Sequence, residues 1–149
     1  MTITNERQYK ITKNQLEAFQ HAHADALTKG PAPGVHPRIH QAMHEGLASQ
    51  IDDLREQVEH YEALKAGLIP GRVLTSVLDL LPALIEARIA AGLTQKMLSE
   101  RLGVAEQQVQ RYEATTYAGV NIERVQAVAD ALGLKITEEL TYSVHELGV

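Results

Sequence analysis

The chain has 149 residues, a formal net charge of −5, no cysteine, no tryptophan and only 4% aromatic residues. That length suits one small domain with an extension, and the missing cysteine excludes disulfides and thiolate metal sites and fits a reducing, cytoplasmic setting. The longest apolar runs, such as residues 77–91, carry Asp79, Glu86 and Arg88, so no membrane span is expected, and the first residues show no signal-peptide pattern.

A first helix is expected over residues 13–27, where Thr12 and Gln15 make a capping-box pattern and Leu16, Phe19 and Gln20 begin an amphipathic face. Two glycines and two prolines within residues 29–34 then break the chain. A long helix should follow, with Pro37 in its first turn and Gly67 at its end. At 1.5 Å per residue it would reach about 45 Å. Ile39, Met43, Leu47, Ile51, Leu54, Val58 and Tyr61 recur along it at steps of three and four, flanked by Asp52, Asp53, Glu56, Glu59 and Glu62. So thin an apolar seam calls for another helix along its length. That helix is either the preceding one or a second copy of the chain.

His36, His40 and His44 repeat every fourth residue on the same helix, with His21 and His23 upstream. Imidazoles at this spacing can share a zinc or nickel ion. No carboxylate or thiolate completes a close set, and Ile39 and Met43 beside the stripe point to packing. Histidine packing is therefore the main reading and a metal site the minor one.

Residues 68–80 form a connector around Pro70 and Gly71. A compact helical unit is expected over residues 81–135. Its first helix starts between Ser76 and Pro82, since proline suits a first turn better than an interior. A second helix runs over 95–102 and a third over 106–114, separated by Gly103, which permits a left-handed turn. A fourth runs over 122–132, with Gly133 as its stop. Leu98 and Leu102 supply an apolar face, and Val104 and Val109 anchor the third helix against the second. In the tail, 136–149, Ile136, Leu140, Tyr142 and Val144 fall at even positions, a pattern that allows a short strand.

Several marks in order carry a resemblance: Ala91-Gly92-Leu93-Thr94-Gln95, Leu102-Gly103-Val104, Arg111-Tyr112-Glu113 and the closing run from Val128 to Leu134. Over residues 84–134 the chain resembles the phage-repressor and Cro-like helix-turn-helix proteins, the XRE family. The opening Asn5-Glu6-Arg7-Gln8-Tyr9 is similar to the start of some bacterial members with a helical N-terminal extension. The resemblance implies an all-α fold: a lambda-repressor-like helix-turn-helix domain behind a helical hairpin or long-helix extension, residues 1–67, used for dimerisation or partner binding. It implies that the third helix enters the major groove of double-stranded DNA. Glu106, Gln107, Gln110 and Arg111 then match base-facing or groove-facing positions, and amide and guanidinium groups are the types that pair with adenine and guanine edges. Thr94 and Gln95 match the phosphate-contacting start of the second helix, and Asn121 either holds a phosphate or caps the fourth. Arg88 and Glu113 match a structural ion pair between the first and third helices.

The chain departs from the family pattern at Ala105, where a Ser or Thr cap is usual; the lost acceptor costs roughly 1 kcal/mol. Ser99 stands at a small buried position and needs a hydrogen-bond partner. Residues 114–121 carry no Lys or Arg.

The charges are unevenly spread. Residues 81–135 hold six basic and six acidic groups, residues 37–66 three and six, and the stretch after Lys135 three acidic and none basic. A neutral reading unit makes few phosphate contacts, so modest non-specific affinity is expected. No nucleophile elbow, Gly-rich phosphate loop or metalloprotease pattern is present, and no cofactor or catalysis is expected. The expected function is sequence-specific regulation of transcription by a homodimer, with repression the usual sign. The alternatives are an antitoxin resembling the HigA type, whose acidic extension binds a basic toxin, and a metal-dependent regulator.

Overall fold

The computed structural model describes residues 2–142, and among them all regular structure is helical. The helices are α1 (Glu6–Lys29), α2 (Pro37–Lys65), α3 (Leu80–Ala90), α4 (Gln95–Leu102), α5 (Glu106–Ala114) and α6 (Ile122–Ala131), with a 3-10 turn, Val77–Asp79, ahead of α3.

The first helix starts well before the expected residue 13. Asn5 is extended and its Oδ1 accepts the backbone N–H of Gln8 at 2.9 Å, a strong N-cap. Thr12 therefore lies inside α1. The early start has a tertiary cause: Tyr9 stacks on Tyr61 of α2, centroids 5.0 Å apart, which gives residues 6–12 a packing partner that periodicity does not reveal.

The two long helices form an antiparallel hairpin, with Tyr9 against Tyr61 near one end and His23 against His44 near the other. Along the α2 seam Ile51, Val58 and Tyr61 are buried and Leu47 and Leu54 half-buried, but Ile39 and Met43 are 57% and 66% exposed. Most of the seam is thus covered by α1, and its first turns are not. Polar bridges reinforce the contact. Tyr9 donates to Glu62, Lys13 lies 3.5 Å from the same carboxylate, and Lys65 lies 3.2 Å from Glu6. The Tyr61 hydroxyl donates to Glu6 at 3.2 Å; burial, reinforced by that carboxylate, pushes its pKa up to about 12, so it stays a neutral donor.

After α2 the connector is irregular. Ser76 and Asp79 form a capping box on the 3-10 turn, and Pro82 falls in the first turn of α3. Helices α3 to α6 enclose a core in which Leu84, Leu98, Val109 and Val128 have no exposed surface and Ile85, Ile89, Val125 and Ala129 are buried. Each large aliphatic side chain so covered contributes about 1.5–3 kcal/mol. Between α4 and α5, Gly103 takes the left-handed conformation (φ 68°), and the next residue, Val104, donates its N–H to the Ser99 carbonyl at 3.0 Å. The Ser99 hydroxyl donates to the Lys96 carbonyl at 2.6 Å, so this buried polar side chain has its partner.

The hairpin is tied to this unit at several points. Ile3 is buried in the shared core, Arg88 donates to the Thr4 carbonyl, and His60 of α2 and Arg72 of the connector both lie 3.4 Å from Glu86 of α3.

The expected C-terminal strand is not formed over residues 135–142, where Leu140 and Tyr142 are exposed. A strand needs a neighbour to pair with, and among the described residues no strand is formed. Val144, the last residue of that pattern, falls outside the described residues. Among the described residues no helix is long and apolar enough to cross a membrane.

Candidate nucleic-acid interface

Helix α5 divides cleanly by burial. Val109 and Glu113 are buried, and Gln108 and Tyr112 are half-buried; Glu106, Gln107, Gln110 and Arg111 are all exposed. Residues four apart share a face, so Gln107 aligns with Arg111 and Glu106 with Gln110. The Gln110 amide lies 3.4 Å from Glu106 Oε1 and donates to it. All four groups anticipated as base-facing therefore lie together on one solvent-facing side of one helix. Ala105 caps that helix without a side-chain hydrogen bond, and Glu106 places a negative charge in its first turn, which favours the helix electrostatically.

The opposite side of α5 is held by a buried polar network. Arg88 Nε and Glu113 Oε1 are 2.5 Å apart, Arg88 Nη2 donates to Oε2 at 2.9 Å, and the two side chains are 3% and 1% exposed. Arg88 Nη1 donates to the Leu93 carbonyl at 2.8 Å, and the Gln95 amide donates to Glu113 Oε2, also at 2.8 Å. One carboxylate thus joins the end of α3, the start of α4 and the end of α5. This sets how far α5 stands out from the surface and in which direction.

Thr94 caps α4 through Oγ1, which accepts from Met97 N–H at 3.1 Å. The Gln95 side chain is committed to Glu113, which leaves its backbone N–H, an unpaired donor of the first turn, as the group available to a phosphate. Asn121 caps α6, its Oδ1 accepting from Arg124 N–H at 2.8 Å. Of the three residues associated with phosphate, Thr94 and Gln95 stand beside α5, and Asn121 has a structural role.

Sequence patterns did not single out Tyr117. It lies within residues 114–121, which carry no Lys or Arg, yet it is 1% exposed, stacked on Tyr112 with centroids 5.7 Å apart, and in the left-handed region (φ 58°). Burial, with Glu113 nearby, pushes its hydroxyl pKa up. The signal was an aromatic residue between Thr116 and Ala118 with no periodic partner, too little to distinguish a core residue from a loop residue.

The histidine stripe is reorganised. His36 caps α2, its Nδ1 accepting from Arg38 N–H at 3.1 Å, so it leaves the set. His40 and His44 face each other at 3.0 Å between Nε2 atoms, and His23 of α1 packs edge-on against His44. Among the described residues no three His, Cys, Asp or Glu side chains are placed to hold one metal ion.

The family model described as Helix-turn-helix matches residues 84–138, the stretch that holds α3 through α6 from Leu84 onward. No curated protein and no solved structure matches the chain.

Proposed function

We propose that this chain, whose C-terminal part is a DNA-binding helix-turn-helix domain of the XRE family, is a sequence-specific transcriptional regulator that binds its operator as a homodimer and represses. The observation that carries this reading is the α5 face. Glu106, Gln107, Gln110 and Arg111 stand exposed on a helix whose inner side is immobilised through Glu113. Inserted into a major groove, Arg111 suits a guanine edge, the glutamines suit adenine, and Glu106 accepts from a cytosine amino group. Two copies related by a two-fold axis would read half-sites about 34 Å apart, or a multiple of that. The uncovered start of the α2 seam, Ile39 and Met43, is the surface we assign to the second copy.

Selection of duplexes from a random pool by the full chain tests the reading. Enrichment of a palindromic sequence is expected, and Arg111→Ala should weaken binding to it by about 1–3 kcal/mol and relax preference at one base position per half-site. If no sequence is enriched, or if Arg111→Ala binds and discriminates like the wild type, the reading face is misassigned.

A second reading, an antitoxin that also regulates its own operon, is favoured by the outer face of α2, where Asp53, Glu56 and Glu59 are exposed. A basic toxin would meet that face. Co-expression with the product of the neighbouring gene separates the readings: the antitoxin relieves that product's growth arrest, and a plain regulator leaves the arrest in place.

A further inference from the structure

The start of α1 and the Glu106–Gln110 flank of α5 open onto one cleft of about 580 Å³. Arg7 and Gln8 line it from the extension, Thr94 and Gln95 from the start of α4, and Glu106 and Gln110 from α5. Most of the charges around it are compensated locally. Lys65 pairs with Glu6 at 3.2 Å, and Arg88 with Glu113. Arg7 is exposed, and among the described residues it makes no ion pair. In the helix-turn-helix unit the charges over residues 81–135 cancel and residues 114–121 after α5 bring no Lys or Arg; Lys96, exposed in the first turn of α4, is the cation next to Gln95 in the chain.

We infer, resting on the DNA-binding reading above, that Arg7 contacts a DNA backbone phosphate beside the half-site that α5 reads, so that the extension forms part of the nucleic-acid interface. A duplex that takes α5 into its major groove carries a phosphate strand along the edge of that groove. Glu106 and Gln110 on the flank of α5 and Arg7 on α1 line the same cleft. A guanidinium matches a phosphate by two parallel hydrogen bonds and carries its charge at any working pH. Such a contact positions the protein and reads no base. Glu106, the one uncompensated acid of the cleft among the described residues, is directed to a base edge in this arrangement and not to the backbone.

The test measures full-length chain on two duplexes, one selected by the protein from a random pool and one of arbitrary sequence, across a series of salt concentrations. Arg7→Ala, Arg7→Lys and Arg111→Ala are compared, with circular dichroism to establish that each folds. Arg7→Ala is expected to weaken both duplexes alike, on the order of 5- to 10-fold at about 0.1 M salt, and to lower the slope of log affinity against log salt by about 0.9. Arg7→Lys should keep the slope, and Arg111→Ala should lose discrimination. If Arg7→Ala leaves affinity and slope unchanged while Arg111→Ala loses discrimination, the role of Arg7 is overturned and the reading helix stands. If Arg7→Ala changes the ratio between the two duplexes, Arg7 reads a base and the phosphate assignment is overturned. A wild-type chain that enriches no sequence overturns the DNA-binding reading, and this inference with it.

Discussion

Arg88 shows how one side chain can serve fold and interface together. Its guanidinium holds Glu113, the Leu93 carbonyl and the Thr4 carbonyl at once. Removing one partner of a buried ion pair costs about 3–5 kcal/mol, because the other charge is left without compensation, whereas replacing both by apolar groups is often near neutral. Arg88→Met should therefore destabilise the protein by about 3–5 kcal/mol in urea unfolding, and Arg88→Met with Glu113→Leu should recover part of that loss. Recovery will be incomplete, because the Leu93 carbonyl and the Gln95 amide lose their partners in the double variant. Equal stability of Arg88→Met and wild type would show that the pair contributes nothing to the docking of α5. The sequence resemblance indicated this pair. Its further bonds to Thr4 and Gln95 join residues 84 and 18 positions apart, and no local pattern records them.

At the scale of elements, carboxylates that bridge α1 and α2 add to the apolar contact between the two helices. The hydrogen bond from Lys65 holds the Glu6 carboxyl below the usual carboxylate range, and that from Tyr9 does the same for Glu62. A carboxylate depressed in the folded state contributes stability above its unfolded pKa, about 4.3, which is lost as pH falls through the folded value. Both groups are largely solvated, so each effect is screened and small. Melting followed by circular dichroism from neutral to acid pH should show Glu6→Gln with Glu62→Gln less stable than wild type at pH 7. The two melting temperatures should converge at low pH, where the wild-type carboxylates are protonated. A gap that persists unchanged in acid would mean that these bridges act by packing and not by charge. The start of α1 at Glu6 follows from the Asn5 cap together with the Tyr9–Tyr61 stack: a sequence pattern can suggest a cap, and the stack gives the residues after it a packing partner.

For the whole molecule, the seam on α2 links the intrachain fold to the proposed assembly. Ile51, Val58 and Tyr61 are buried within the chain, and Ile39 and Met43 remain open. If the open turns meet a second copy, sedimentation equilibrium should give twice the 16.4 kDa of one chain, and Met43→Asp should shift it to the monomer without loss of helix content. A wild-type monomer at concentrations that saturate DNA would place the two-fold contact elsewhere or remove it. The extension is also anchored to the helix-turn-helix unit, through Ile3, Thr4 and His60, and the connector through Arg72. Whatever binds the hairpin therefore bears on the part that carries α5.

By itself the sequence determined the helix-turn-helix unit. The apolar spacing of Leu98 and Val109 and the turn at Gly103 are local signals, the family resemblance supplies the Arg88–Glu113 pair, and α4 and α5 begin and end where the local signals place them. It also set which polar groups α5 exposes, because burying Val109 and Glu113 leaves only one way for Gln107 and Arg111 to face. Tertiary structure alone decided the true start of α1, the burial of Tyr117, the packing of His23 against His44, and the cleft that brings Arg7 to the side of α5. Each of these rests on contact between residues far apart in the chain or on a local conformation stabilised by such contact. Periodicity carries no information about which distant surfaces meet.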